Sequence, residues 1–93
     1  IFRIDVGTMI EKVVNLKDGT SIYIVDTIDY EGRRYIYGLQ YDKLTENITG
    51  KYYILEVKII NDELNLANVN DKELKNKLYV LFTSKQFEKI LNN

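Results

Sequence analysis

Apolar and polar residues alternate along the first two-thirds of the chain. The clearest run is 52–60, "YYILEVKII", in which Tyr53, Leu55 and Val57 fall on one side of an extended backbone. A period of two in β-branched and aromatic residues is typical of a half-buried strand. Four further runs, near residues 10–16, 22–28, 34–41 and 64–66, show the same alternation. The pattern therefore predicts five strands.

Each run also predicts which side chains share a face. In the second run we expect Ile22, Ile24 and Ile28 on one face of the sheet. In the third run, Tyr35 and Tyr37 begin a row of side chains that continues through residues 39 and 41. Strict alternation is the basis of both predictions, because successive side chains of a strand point to opposite faces.

Turn signals separate the runs at short intervals. Asp18-Gly19, Glu31-Gly32 and Asn61-Asp62 each lie between two alternating segments, and such pairs tolerate the positive φ of tight hairpins. A longer polar loop, "DKLTENITG", is expected to end at Gly50. Strands joined by short connections pair antiparallel, so the predicted topology is a meander.

The pattern changes near residue 70. Asn70 or Asp71 can cap a short helix over "DKELKNK", and "LYVLF" then predicts a sixth strand, buried on both faces. Thr83, with Gln86 three residues later, has the spacing of a capping box for a C-terminal helix. Phe82 and Phe87 have the spacing of a hydrophobic staple around that cap.

The predicted C-terminal helix has one apolar stripe, formed by Phe87, Ile90 and Leu91. A helix of about ten residues is marginal alone in water, so we expect this stripe to pack on the sheet. The substitution Phe87→Ala, or truncation after Ser84, is then expected to unfold the protein.

These elements together predict an α+β fold. It is an antiparallel β-meander of five to six strands, partly closed toward a barrel, with a short C-terminal helix packed on one face. Residues 1–93 form a single domain. Residues 1–8 are either an artificial extension or an extra edge strand, 9–69 form the meander, and 70–93 form a helical turn, a strand and the C-terminal helix.

Composition narrows the class of protein. The 93 residues include no cysteine, so no disulfide holds the fold, which favours a cytoplasmic location. A net charge of −1, with the basic residues scattered along the chain, argues against a nucleic-acid binder. No apolar run approaches the roughly 18 residues of a membrane span, so we expect no membrane partner.

The chain also lacks histidine, which excludes the common nucleophilic triads and histidine metal sites. The acids Asp26, Asp29, Glu31 and Asp42 lie near strand ends, where a pair of carboxylates could hold a divalent cation or act as acid and base. Acids beside tight turns more often serve the turn itself. We therefore expect no cofactor, no metal site and no enzymatic activity.

The eight tyrosines are the most unusual feature of the composition. Arg34, Tyr35, Tyr37 and Tyr41 concentrate aromatic and guanidinium groups on one strand. Such residues either pack in a thin core, bind a protein, or stack on the bases of a single-stranded nucleic acid. We take the protein-binding interpretation as the working prediction. It implies a protein partner, or a homodimer formed through an edge strand.

The layout resembles that of small bacterial and phage-borne proteins of a domain-of-unknown-function type. The matching features are Asp18-Gly19, Tyr30-Glu31-Gly32, Arg34-Tyr35 and Phe87-Glu88. The resemblance covers about two-thirds of the chain and implies no catalytic or binding residue. Together with the small size and the composition, it suggests an accessory, immunity or anti-defence protein of a phage or mobile element.

Overall fold

Five strands and one helix account for most of the structure, a computed structural model that describes residues 10–91. The elements are β1 (Val13–Asn15), β2 (Ser21–Tyr30), β3 (Arg33–Asp42), β4 (Asn47–Ile60), β5 (Glu63–Asn68) and α1 (Lys72–Leu91). The strands form one antiparallel sheet in the order β1-β2-β3-β4-β5. The predicted α+β meander is therefore confirmed, with five strands among the described residues. The prediction for residues 1–8 lies outside them.

Two tight turns form where the sequence predicts them. Glu31 and Gly32 join β2 to β3, and Asn61 and Asp62 join β4 to β5. All four residues have positive φ, from 50° to 77°. Two consecutive positive values are the geometry of a type I′ turn, whose twist matches that of the strands it connects.

The loop between β3 and β4 is shorter than expected. The Asp42 carboxylate accepts a hydrogen bond from the Leu44 amide at 2.9 Å, and Glu46 has a φ of 55°. The chain is thereby turned into β4, which begins at Asn47. Gly50 was expected to end the loop, but it lies inside the strand.

A β-bulge moves β2 from one face of the sheet to the other. The register with β3 shifts between Ile24 and Asp26, which leaves Val25 as an extra residue. Ile24 therefore points into the core on one face, whereas Ile28 packs on the opposite face. The prediction that Ile28 shares a face with Ile24 is wrong, because an inserted residue inverts the alternation beyond it.

The face that carries Ile24 is the inside of a curl. Its buried residues, which we call the inner core, are Ile22, Ile24, Ile36 and Leu55. Val14 of β1, Leu16 directly after it, and Leu66 of β5 pack against this cluster. Since β1 and β5 lie at opposite edges of the sheet, their shared contact with one core shows that the sheet curls into a half-barrel.

Helix α1 covers the other face. The buried residues there, which we call the helix core, are Tyr35, Ile54, Val69, Leu78 and Phe82. Leu74, Leu78 and Phe82 are four residues apart and so lie on one side of the helix. The Asp71 carboxylate accepts hydrogen bonds from the amides of Glu73 at 3.0 Å and Leu74 at 3.3 Å. This confirms the predicted cap.

The C-terminal third differs from the predicted helical turn, strand and helix. One continuous helix of 20 residues runs through it, and "LYVLF" is helical. Leu78 and Phe82 are its buried positions, at the spacing of one helix face. Thr83 is not a cap, because its hydroxyl donates to the Tyr79 carbonyl at 3.0 Å within the helix.

The apolar stripe predicted to cover the sheet does not do so. Phe87, Ile90 and Leu91 are exposed, at 61%, 71% and 68% of their surface. Phe82, predicted to belong to the staple and to the end of the buried strand "LYVLF", is fully buried, but as part of the helix. Because the helix begins earlier than predicted, the side that faces the sheet is formed by Leu74, Leu78 and Phe82 instead.

Candidate functional site

A cleft of about 450 Å³ lies between the two edge strands of the half-barrel. One wall comes from β1 and the residues after it, and the other from β5 and the end of β4. The apolar lining residues are Val14, Leu16, Ile60, Leu64, Leu66 and Ala67, and the polar ones are Asn15, Lys17, Lys58 and Asn65. We call this space the edge cleft. It opens directly over the inner core, because Val14, Leu16 and Leu66 line the cleft and also pack against that core.

Unpaired backbone groups of β5 border the edge cleft. In the described sheet, β1 and β5 each pair with one neighbour. The β4–β5 turn has two residues, so the flanking pair Ile60 and Glu63 exchanges hydrogen bonds and the pattern alternates from there. The amide and carbonyl groups of Leu64 and Leu66 therefore face away from β4, toward the open edge.

The same reasoning applies to β1. The amide and carbonyl of Ile24 bond to Lys12 and Glu11, which shows which groups of β2 face β1. By alternation, Val14 bonds to β2, while Val13 and Asn15 direct their backbone groups outward. Within residues 10–91, two strand edges without a paired strand thus border one cleft, each with donors and acceptors spaced for an extended chain.

The charge of the edge cleft is positive. Lys17 and Lys58 are exposed at its rim, and no acidic residue lines it among the described residues. The site therefore combines an apolar floor, two open strand edges and two ammonium groups. Such a surface suits an extended peptide with alternate apolar side chains and nearby carboxylates.

The four residues predicted for protein binding lie at different depths. Tyr35 is only 2% exposed and belongs to the helix core, and Tyr37 is half-buried beneath α1. Arg34 binds Asp29 through two hydrogen bonds, of 2.7 Å and 3.1 Å. Tyr41 lies toward the other end of β3, where it pairs with Ile48 after a register shift. Their predicted role in binding a protein stays a prediction.

Two tyrosines of the sheet, Tyr37 and Tyr52, form an aromatic cluster with Tyr79 of α1. The ring of Tyr37 lies 6.0 Å from that of Tyr52 and 6.4 Å from that of Tyr79. The Phe82 ring is 5.5 Å from Tyr37. Burial raises the pKa of Tyr37 above its ordinary value, and the neighbouring hydroxyls of Tyr79 and Tyr52 add to this. Base stacking on Tyr37 would require α1 to move away.

The acids near the strand ends do not converge on one point. Asp29 pairs with Arg34, whose hydrogen bond holds the pKa of Asp29 below its usual range. Asp42 accepts the Leu44 amide in the β3–β4 loop, as the turn interpretation predicts. Among residues 10–91, no group of three or more acidic side chains is close enough to share a metal ion.

Asp26 differs from the other acids near the strand ends because it is buried, with only 1% of its surface exposed. Its carboxylate accepts hydrogen bonds from Lys85 Nζ at 3.0 Å and from Gln86 Nε2 at 3.0 Å. The Lys89 Nζ atom lies 3.7 Å away. The bulge at Val25 turns this side chain toward α1, so the cluster joins the helix to the sheet.

Sequence reasoning missed both the edge cleft and this cluster. Lys17 and Lys58 are far apart in sequence, and only the curl of the sheet brings them to one rim. Asp26 carried a weak signal, since it interrupts the run "SIYIVDTI" at a position that alternation assigns to the core. The three partners Lys85, Gln86 and Lys89 also share one helix face with Phe82.

Comparison with known proteins identifies no relative: no family model, curated protein or solved structure matches the chain. The resemblance to small bacterial and phage-borne proteins therefore stays an expectation from the sequence. Within residues 10–91, no helix has the length and apolar character needed to cross a membrane.

Proposed function

We propose that this protein is a non-enzymatic protein-binding module that takes up an extended segment of a partner protein in the edge cleft. The observation that supports this is the pair of open strand edges, β1 and β5, on either side of one apolar cleft. A peptide strand placed there would bond to Leu64 and Leu66 on one side and to Val13 and Asn15 on the other. Strand addition of this kind derives its affinity from main-chain hydrogen bonds.

Side-chain contacts would give the module its specificity. Alternate apolar residues of the peptide would enter the cleft over Leu16 and Leu66, which extend the inner core. Acidic residues would lie near Lys17 and Lys58. Charges at a rim mainly raise the association rate and select the partner. Binding would therefore weaken as salt is added. A module of this type suits the accessory, immunity or anti-defence role that the sequence suggests.

A peptide titration followed by NMR tests the proposal. β5 has six residues, so the probe is a capped peptide of about seven residues in which valine and glutamate alternate. The amide signals of Val13, Asn15, Leu64 and Leu66 are expected to shift during the titration. A peptide of the same composition, with its valines and glutamates in separate blocks, is the control. If neither edge strand responds at about millimolar probe, the proposal is wrong.

Charge reversal at the rim provides a second readout. Lys58→Glu is expected to weaken binding of the alternating peptide by about threefold or more. Lys43→Glu makes the same change on the exposed β3–β4 loop, away from the cleft, and is expected to leave the affinity unchanged. Equal effects of the two substitutions would show that the peptide responds to net charge alone.

A further inference from the structure

The outward side of α1 carries an apolar stripe that no part of the described chain covers. Its members are Val80, Phe87 and Leu91, which are 58%, 61% and 68% exposed. At about 100° per residue, Phe87 lies directly opposite the buried Leu78, and Val80 and Leu91 lie within about 40° of Phe87 around the helix axis. The stripe is therefore a second face of the helix, separate from the face that packs on the sheet.

A shallow apolar groove adjoins this stripe. It has a volume of about 400 Å³ and is lined by Tyr30, Asn76, Lys77, Val80 and Leu81. The wall formed by Tyr30 comes from the end of β2, and the remaining walls come from α1. Val80 belongs both to the groove and to the stripe, so the two form one continuous surface. A hydrophobic surface of this kind marks a site of interaction.

The surface is complementary to itself. Phe87 is exposed on the same side of α1 as the groove, two helical turns beyond Val80. The residues midway between them are Thr83 and Ser84, which are small enough to let two helices approach closely. When two copies of α1 cross antiparallel at this midpoint, Val80 of one copy lies level with Phe87 of the other. The groove of each copy then receives the Phe87 ring of the other copy, as the reciprocal contacts of a two-fold interface require.

The charges on one flank of α1 follow the same symmetry. Lys77 and Glu88 are exposed, lie on the same side of the stripe, and stand on opposite sides of the midpoint. In an antiparallel pair related by a two-fold axis, the same flanks of the two helices are adjacent. Lys77 of each copy is then within about one helical turn of Glu88 of the other, which gives two reciprocal ion pairs.

From these relationships we infer that the protein forms a homodimer through α1, with the helices antiparallel and Phe87 of each copy in the groove of the other beside Tyr30 and Val80. This interface is on the helix and not on the edge cleft. A dimer would therefore leave both clefts open, and each would bind its own peptide. The inference does not depend on the proposed function.

Sedimentation velocity over a range of protein concentrations tests the dimer. The wild-type chain is expected to shift from monomer to dimer, and Phe87→Glu is expected to stay monomeric throughout. Leu44→Glu is the matched control, because Leu44 is 96% exposed on the β3–β4 loop and is expected to dimerise like the wild type. Circular dichroism checks that each variant is folded. A wild-type chain that is monomeric at about 1 mM overturns the inference, and so does a dimer that Phe87→Glu leaves intact.

Charge exchange tests the antiparallel arrangement itself. Lys77→Glu places two like-charged pairs across the interface and is expected to weaken the dimer about tenfold. Glu88→Lys is expected to have a similar effect. Combining the two substitutions restores opposite charges and is expected to recover most of the affinity. If the double variant is as weak as the single ones, Lys77 and Glu88 do not face each other and the arrangement is wrong.

Discussion

Asp26 and Lys85 are 59 residues apart in the sequence, and their Oδ1 and Nζ atoms lie 3.0 Å apart in the structure. The same Nζ atom donates to the Thr27 carbonyl at 3.0 Å, and Asp26 accepts the Thr27 amide at 2.8 Å. Thr27 lies beyond the part of β2 that pairs with β1. The two side chains therefore bind backbone groups on an edge of β2 that no strand of the described chain covers, as well as joining α1 to the sheet.

Because Asp26 is buried and Lys85 is partly exposed, substitutions of the two residues are expected to be unequal. Lys85→Met leaves a buried carboxylate with Gln86 and the more distant Lys89, and is expected to lower the free energy of unfolding by about 2 kcal/mol. Asp26→Asn keeps an acceptor for the Thr27 amide and lets Lys85 turn to solvent, so about 1 kcal/mol is expected. Urea denaturation measures both changes.

The double substitution tests whether the two residues act together. When Asp26 has been replaced by asparagine, loss of Lys85 leaves no buried charge unpaired. The combined loss in the free energy of unfolding is therefore expected to be smaller than the sum of the two single losses. Strictly additive costs would mean that the 3.0 Å contact contributes nothing to the stability of the fold.

The two phenylalanines of α1 are expected to behave in opposite ways. Phe82 is fully buried, so Phe82→Ala is expected to cost about 3–5 kcal/mol. Phe87 is 61% exposed, and Phe87→Ala is expected to change the stability of the monomer by no more than about 0.5 kcal/mol. Thermal melting of dilute protein compares them. If Phe82→Ala does not fold at all, Phe82→Leu provides a milder substitution, which should still cost more than Phe87→Ala.

Two glycines form another matched pair. A Cβ at Gly38 would collide with the Ile22 side chain and approach the Tyr23 carbonyl at 3.1 Å, so Gly38→Ala is expected to cost about 1–3 kcal/mol. At Gly50 a Cβ would meet no heavy atom of the described chain within 4 Å, and Gly50→Ala is expected to be neutral or slightly stabilising. Urea denaturation of the two variants should therefore give clearly different midpoints. Similar midpoints would contradict the close packing of β2 on β3.

The raised pKa of Tyr37 predicts a specific loss of stability in alkali. Well below pH 10.0, which is the ordinary pKa of a tyrosine, Tyr37 is neutral in both the folded and the unfolded chain. As the pH rises further, the unfolded chain releases the proton first, so unfolding becomes more favourable. Tyr37→Phe removes this contribution. The variant is therefore expected to lose less stability than the wild type between about pH 9 and about pH 11. Equal losses in urea denaturation would show that Tyr37 is not perturbed.

Most of the sheet is predictable from the sequence because its signals are local. The turns at Glu31-Gly32 and Asn61-Asp62 require positive φ, which the residue types of Gly32, Asn61 and Asp62 tolerate readily. Alternation in β4 places Tyr53, Leu55 and Val57 correctly against the inner core. Each of these signals depends on residues within a few positions of one another. Alternation along the sequence therefore indicates them directly.

The predictions from the sequence that are wrong have a different origin. The bulge at Val25 is set by how β2 pairs with β3, and the sequence of β2 alone does not show it. The run "LYVLF" is compatible with a strand or a buried helix equally well. Leu74, four residues before the Leu78 that begins the run, extends the buried helix face and favours the helix. The edge cleft depends on the curl of the whole sheet, and no local pattern in the sequence predicts that curl. The candidate site is thus a tertiary feature.

The order of the strands also determines how this chain can be assembled. Each strand pairs with its neighbour in sequence, so the sheet can grow hairpin by hairpin while the protein is being synthesised. The contact between Lys85 and Asp26 closes a far longer loop and forms only after α1 has left the ribosome. Until then, Tyr35 and Ile54 are not covered by the helix. A nascent chain that stalls before α1 would thus be a target for chaperones, whereas a chain that includes α1 would not.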